Sequence, residues 1–283
     1  MQSQGVALVV VLWLIVLLSV MVAGHSRNAR TDTLLAARQL GSAEARGIAE
    51  AGINHVILEM LGRDDVRHTV DGTLFETRVL NDVVVVAVRD VTGLIDLNTA
   101  SPVLLDAALR ACAVDEDRRL RLVDAILDWR DRDDISRPDG FEDDDYVAEG
   151  APWTSRDGDF ASIDELRYLP GMSQRLFDRL APLVTVHSGR SGLNLEFAPP
   201  VLITALTGEE VPTASPDSDD SAAVRAGRNG TYRIYASAKV GRGASASIEA
   251  VVRVSQSSSQ PVIFLEWRDP SRTEFPPDKG VDG

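Results

Sequence analysis

The sequence contains a single cysteine and no arrangement of residues typical of a catalytic site. Because Cys112 stands alone, no disulfide can form within the chain and no metal site can be built on thiolates. No nucleophile elbow, phosphate-binding loop or zinc motif is present. The four histidines are scattered, at His25, His55, His68 and His187. We therefore predict a protein that is not an enzyme. Cys112 is expected to be a small buried residue, and three acids are expected on helix surfaces or at helix caps: Asp106, Asp128 and Asp164.

Positive charge is also in short supply. The 283 residues include 29 Lys and Arg against 43 Asp and Glu, which gives a formal net charge of −14. Such a chain would repel the phosphates of a nucleic acid, so the composition argues against a nucleic-acid partner. With 44% hydrophobic residues, the chain is long enough to bury a core and to form two domains.

A long apolar run lies near the start of the chain. From Val6 to Ala23 no residue is charged and Ser19 alone is polar, which is close to the length that a membrane-spanning helix needs. Helical patterning then continues, without a proline or a turn cluster, to about Leu61. The sequence predicts one long helix whose transmembrane part is residues 6–24.

Before this run comes a polar leader, residues 1–5, which ends in Gly5 and contains no Lys or Arg. This arrangement is typical of type IV pilin-like proteins, whose leader is cut after the glycine. A cleaved secretory signal peptide is the alternative, with Val22-Ala23-Gly24 as its cleavage site. The placement of Arg27 and Arg30 after the run, on the proposed periplasmic side, opposes the positive-inside tendency.

The second part of the predicted helix has a stripe of small and apolar residues at helical spacing: Leu34, Ala37, Gly41, Ala45, Ile48, Gly52 and Val56. The small residues would let another backbone approach closely, so this half of the helix is predicted to pack on a sheet. Alternating patterns and turn residues predict the strands, at residues 72–79, 83–88, 90–98, 184–186, 231–240, 246–255 and 261–267.

Between these two groups of strands the pattern changes to helices, predicted at residues 103–111, 116–129, 162–169 and 173–183, with an acidic loop at 131–159. Helices bracketed by strands indicate an inserted domain. The predicted fold is α+β: a pilin-like long N-terminal helix packed on an antiparallel sheet, with an inserted all-helical domain of the helix-hairpin-helix or SAM-like type. The predicted divisions are a leader (1–5), a transmembrane part (6–24), a pilin-like domain in two parts (25–98 and 184–267), the insert (99–183) and a disordered tail (268–283).

The acidic loop has the densest set of oxygen ligands. Counted from Asp131, acids occupy positions 1, 3, 9 and 12 of a calcium loop, which makes four residues candidate calcium ligands: Asp131, Asp133, Asp139 and Glu142. The EF-hand pattern itself fails, because Ile135 and Ser136 stand where a ligand and a glycine are required. A calcium site of another kind and a solvated acidic loop both stay open.

The segment Tyr168-Leu169-Pro170-Gly171-Met172-Ser173 precedes an apolar helix and resembles the hairpin of helix-hairpin-helix modules. In DNA-binding members, the hairpin offers backbone N–H groups to phosphate. Only three basic residues are close, Arg167, Arg175 and Arg179, so we interpret the hairpin as a packing unit that does not bind DNA.

As a set, these segments resemble the type II secretion system protein K family, the large minor pseudopilins. The matching segments follow the family's order: residues 5–18, 51–53, 93–98, 124–131, 162–166, 169–172 and 185–186. The resemblance implies cleavage after Gly5 by the prepilin peptidase and methylation of the new N-terminus, Val6. It also suggests calcium, which some relatives bind.

The same resemblance implies a place and a role. The protein would be a single-pass protein of the bacterial inner membrane with its soluble domain in the periplasm. There it would sit at the tip of the pseudopilus with the other minor pseudopilins, initiate assembly on the inner-membrane secretion platform, and support export of folded proteins across the outer membrane.

Val10 fits the tip position. It is the fifth residue of the predicted mature chain, where filament subunits usually have Glu. A carboxylate in an apolar setting is costly unless it meets a partner charge, here the N-terminal amine of a neighbouring subunit. A subunit with no neighbour above it has no such amine to neutralise, and members of the family share the absence of Glu.

Two further hypotheses come from other classes of protein. One is a membrane-tethered helix-hairpin-helix DNA-binding protein of a DNA-uptake system, which salt-dependent retention on DNA would support. The other is a secreted calcium-binding protein with a cleaved signal, whose mature chain would begin near residue 25 rather than at Val6.

Overall fold

The computed structural model describes residues 3–62, 69–209, 229–241, 243–256 and 258–269, without the side chains of residues 3–7, 20 and 22–34. Its longest element is helix α1, which runs unbroken from Ser3 to Leu61. No proline interrupts these 59 residues, which at 1.5 Å per residue span about 90 Å. The prediction of one long helix is confirmed.

Within the described ranges the chain forms five more α-helices and seven strands. The helices are α2 (Pro102–Ala111), α3 (Glu116–Arg130), α4 (Asp143–Ala148), α5 (Gln174–Leu180) and α6 (Pro200–Thr207). The strands are β1 (Asp71–Val79), β2 (Asp82–Asp90), β3 (Ile95–Asp96), β4 (Val184–Thr185), β5 (Asn229–Val240), β6 (Ala244–Ser255) and β7 (Val262–Arg268).

Five of these strands form one antiparallel sheet in the order β1-β2-β5-β6-β7. The hairpins β1–β2 and β5–β6 are the two that the alternating patterns predict. The second half of α1 packs on one face of this sheet and buries Ala45, Ala49, Ile53 and Val56 completely. We call α1 and the five-stranded sheet the pilin-like body.

Two glycines of α1 lie where the helix comes closest to the sheet. A Cβ added at Gly52 would lie 2.6 Å from Cγ1 of Val84, and one at Gly41 would lie 2.9 Å from Cβ of Ala244. Both distances are too short for a real side chain, so the close approach predicted from the small-residue stripe is confirmed.

The helical region enters and leaves the body through a parallel strand pair, in which Ile95 lies opposite Val184. Helices α2 to α5 lie between these two strands in the chain and share one hydrophobic core. Helix α6 packs on α2 and adds Leu202 to that core. We call α2 to α6 the insert; its core therefore extends beyond the predicted limit at residue 183.

The structure corrects the prediction that residues 131–159 are a loop throughout. Helix α4 lies within them, and at its start the backbone N–H of Glu142 donates a 3.0 Å hydrogen bond to the side chain of Asp145, as in a capping box. The following segment, Ile163–Tyr168, is a 3₁₀ helix where an α-helix was predicted. Residues 270–283 of the predicted tail lie outside the described residues.

Candidate functional site

The first part of α1 is an uncovered apolar surface. Every side chain from Leu8 to Leu18 is apolar and at least half exposed, including Trp13 and Val10. The hydroxyl of Ser19 donates a 2.7 Å hydrogen bond to the carbonyl of Ile15, so this polar group is satisfied inside the helix. Such a surface is suited to lipid or to other apolar helices.

Among the residues whose side chains are described, no helix has the length and apolar character needed to cross a membrane. Gly5 and Val6, the predicted processing site, lie in the first turns of α1.

The four predicted calcium ligands do not converge. Asp131 caps the end of α3 and accepts a 2.6 Å hydrogen bond from Arg137, while Asp133 accepts one from the backbone of its own loop. The backbone of Asp139 donates to Asp124. Across the described part of the chain, no three His, Cys, Asp or Glu side chains are grouped closely enough to hold a metal ion.

Asp128, however, is fully buried rather than on a helix surface. It accepts hydrogen bonds from the backbone N–H and the guanidinium of Arg137. Burial raises the pKa of its carboxyl although these bonds oppose the rise. The chain passes so close at Gly140 that a Cβ there would lie 1.7 Å from Oδ2 of Asp128. A glycine is therefore required at this position.

Glu142 is the group in this region whose charge is least compensated. It is buried, one of its oxygens accepts a 3.3 Å hydrogen bond from Ser155, and its Oε1 has no partner among the described residues. Burial raises the pKa of Glu142 to about 7, helped by the charges of Asp128, Asp131 and Asp157.

Oδ1 of Asp131 is also buried and lacks a partner in the described structure. Two buried carboxylate oxygens in negative surroundings are groups that a hard cation would satisfy. The residues present thus fit a cation in part, because Asp131 and Glu142 are among the predicted ligands. No pattern in the sequence indicates that Asp128 is buried or that Asp157 lies near Glu142.

The helix-hairpin-helix segment is engaged within the insert. Gly171 adopts a φ of +79°, and its carbonyl accepts a 2.6 Å hydrogen bond from Arg118. The guanidinium of Arg167 lies 3.6 Å from the ring centre of Phe177. Residues 99–183 contain 20 Asp and Glu against 11 Arg. These contacts and this charge favour a packing role over phosphate binding.

Comparison with known proteins shows which family the chain resembles. The profile described as "Type II secretion system (T2SS), protein K" matches residues 82–189, from β2 through most of the insert to just beyond β4. Type II secretion system protein K of Aeromonas hydrophila is 33% identical over 116 residues, which cover 34% of this chain and 35% of the relative. The protein of the same name from Pectobacterium carotovorum subsp. carotovorum is 33% identical over 76 residues, covering 27% and 23%. The chain thus matches about a third and about a quarter of the length of these relatives.

A solved structure shows the same fold over nearly the whole chain. It belongs to the crystal structure of the GspK–GspI–GspJ complex from the enterotoxigenic Escherichia coli type 2 secretion system, with a TM-score of 0.53 and 17% identity. The match covers 86% of this chain and 99% of that one. The resemblance to type II secretion system protein K and the α+β, pilin-like fold class are confirmed.

Proposed function

Because the chain has a type II secretion system protein K domain over residues 82–189, we propose that it is a minor pseudopilin, a non-enzymatic subunit that supports the export of folded proteins across the outer membrane. The match carries the proposal because it contains the helices α2 to α5, which distinguish this chain from a bare helix-on-sheet pilin fold. The architecture supports it: a long helix with a free apolar end is joined to a globular body.

We place the subunit at the tip of the pseudopilus, where it would initiate assembly. The absence of Glu at Val10 supports this position, since a terminal subunit has no neighbour whose amine would neutralise a carboxylate. The insert supports it as well, because a bulky domain on the body would block stacking of a further subunit. Its expected partners are the other minor pseudopilins, the prepilin peptidase and the inner-membrane platform.

Processing of the N-terminus tests the membrane assignment. We expect residues 6–24 to anchor the chain in the inner membrane and the mature chain to begin at a methylated Val6. Gly5→Leu should leave an uncleaved precursor and abolish secretion, while Ser3→Ala, the control within the leader, should be processed normally. N-terminal sequencing and mass measurement report both. A mature chain that begins near residue 25 would instead identify a cleaved signal peptide.

Partner binding tests the role in the filament. The full chain, co-expressed with the other minor pseudopilins of its own secretion system, should co-purify with them in a defined stoichiometry. Retention on DNA at low salt, without such a complex, would favour the DNA-uptake alternative.

We also propose that the insert binds calcium near Glu142. In the present arrangement the single guanidinium of Arg137 is paired with both Asp128 and Asp131, so an excess of negative charge is left, and Glu142 has an unpartnered buried oxygen. A calcium ion held by Glu142 and Asp131, with Asp128 and Asp157 nearby, would supply the missing positive charge. Binding to the folded state alone would stabilise the insert.

A calcium titration of the full chain tests this proposal. Calcium should raise the thermal unfolding midpoint of the wild type, and Glu142→Gln should remove that increase. With a chelator present, the same variant should be more stable than the wild type by about 1–3 kcal/mol, because a neutral amide avoids the penalty of a buried unpaired charge. Asp134→Asn, an exposed acid of the same loop, is the control. An unchanged wild-type midpoint at saturating calcium would contradict the proposal.

A further inference from the structure

A connected set of ionisable side chains lies where the insert joins the body, and the proposed function makes no use of it. The set consists of Arg233 on β5, Glu249 on β6, Glu266 and Arg268 on β7, and His187 just after β4. We call this region the neck.

Arg233 connects the segment that follows α5 to the central strand of the sheet. It is only 5% exposed, and its guanidinium donates to the carbonyl of Ala181 at 3.1 Å and to that of Val184 at 2.6 Å. These carbonyls lie at the last turn before β4 and at its first residue. Because the guanidinium is planar, two simultaneous bonds restrict rotation as well as distance.

Glu249 holds the two arginines of the neck together. It is 2% exposed, accepts hydrogen bonds of 2.9 and 2.7 Å from Arg268, and lies 3.5 Å from Nε of Arg233. The carboxylate therefore lies between two guanidinium groups, and loss of any one of the three side chains changes the balance of buried charge.

Two further contacts extend the neck across the sheet. On β7, Glu266 lies 3.2 Å from Nε2 of His187. On β2, Arg89 donates a 3.0 Å hydrogen bond to the carbonyl of Phe197, shortly before α6. Three strands thus contact the segment of the insert that connects α5 to α6, at separate points between residues 181 and 197.

The neck lies on the face of the sheet opposite to α1. Ile234 and Ala250, the neighbours of Arg233 and Glu249, belong to the core that packs against α1. Successive residues of a strand point to opposite faces, so the neck charges point away from the helix. The sheet therefore lies between α1 and the neck.

We propose that the neck is a rigid joint that fixes the orientation of the insert relative to α1. Rotation or translation of α1 in an assembly would then move the insert by the same amount, and the face that the insert presents to its surroundings would be set by the helix. The joint is a property of the single chain, so its test does not depend on a role in the pseudopilus.

Distances between spin labels measure this rigidity directly. Labels at Arg78→Cys on β1 and Leu120→Cys on α3, both exposed, report on body and insert. The native Cys112 is buried, and burial raises the pKa of its thiol to about 11, so it is a poor target for labelling; Cys112→Ala removes it altogether. Pulsed electron–electron double resonance on the full chain in detergent should give one narrow distribution of distances between the two labels.

Arg233→Met should replace that single population by a broad one, whereas Arg253→Met, a charge removal at an exposed position of β6, should leave it unchanged. Arg233→Lys keeps the charge but loses the paired donation, so it should also broaden the population. It serves as the test if Arg233→Met does not fold. A broad population in the wild type, or equal populations in the Arg233 and Arg253 variants, would overturn the proposal.

Discussion

The pilin-like body and the insert bury different kinds of side chain. Where α1 meets the sheet, the core consists mainly of valine, isoleucine and alanine, and it contains no buried charge among the residues described. The insert instead packs aromatic rings around Trp129, close to the buried carboxyl groups of Asp128 and Glu142. The charges that the sheet does bury, Arg233 and Glu249, point to the neck and neutralise each other.

This difference indicates what each part depends on. Apolar packing in the body does not depend on pH or on ions. It does require that α1 lies so close to the sheet that only glycine fits at the points of contact. In the insert, an unpartnered buried carboxylate makes stability depend on protons or cations. The body is therefore suited to permanent packing in an assembly, and the insert is suited to respond to its surroundings.

The largest expected effect is the loss of the aromatic centre of the insert. Trp129 is 4% exposed, contacts the rings of Tyr146 and Phe160, and donates a 3.0 Å hydrogen bond to Glu165. Trp129→Ala should lower the free energy of unfolding of the insert by about 3–5 kcal/mol.

Chemical denaturation followed by far-UV circular dichroism measures this loss. The control is Trp153→Ala, because Trp153 is 40% exposed and lies at the edge of the same cluster. If both variants lost the same stability, the insert core would not be centred on Trp129.

A smaller loss is expected where α1 meets the sheet. Gly52→Leu would force a side chain against Val84 and should cost about 1–3 kcal/mol. At Gly47, on the same helix, an added Cβ meets nothing within 4 Å, so Gly47→Leu should be neutral or stabilise by up to about 1 kcal/mol through helix propensity.

Thermal unfolding midpoints of the two variants compare them directly. The glycine substitutions should leave the calcium response of the insert unchanged, whereas Glu142→Gln should change that response alone. A Gly52→Leu variant as stable as Gly47→Leu would show that α1 does not lie close enough to the sheet at position 52 to exclude a side chain.

Helix α1 and the two hairpins were predictable because local signals and packing agree there. Small residues at helical spacing, such as Gly41 and Gly52, predict the close contact with the sheet. Helix α4 was missed because three successive aspartates indicate a loop. Its helical form depends on a capping box and on the burial of Tyr146, which is a tertiary contact.

The candidate site was predictable only in its composition. The sequence shows that acids are dense near residue 131, but counting positions in a single loop cannot bring together residues from separate segments. Asp128 looks like a surface acid because it lies in a polar helix, and only the fold of residues 137–140 over it makes it buried. The neck was missed for the same reason, since Arg233 lies about 50 residues from the carbonyls that it contacts.

The smallest expected effect lies at the neck, where the body also acquires a dependence on pH. Although burial opposes it, the pKa of Glu266 is lowered by the hydrogen bond with His187 and by the charges of Arg268 and Arg233. A carboxyl whose pKa is lower in the folded state stabilises the fold above its unfolded pKa, and this contribution is lost as the pH falls through the folded value. Glu266→Gln should therefore be less stable than the wild type at neutral pH, by about 1 kcal/mol or less, and the stabilities of the two proteins should converge in acid.

Denaturation at a series of pH values measures the difference, with the exposed Glu76→Gln as control. Because the effect comes from one contact between β7 and the insert, a difference that stayed constant down to acid pH would mean that Glu266 contributes to the neck by packing and not by charge.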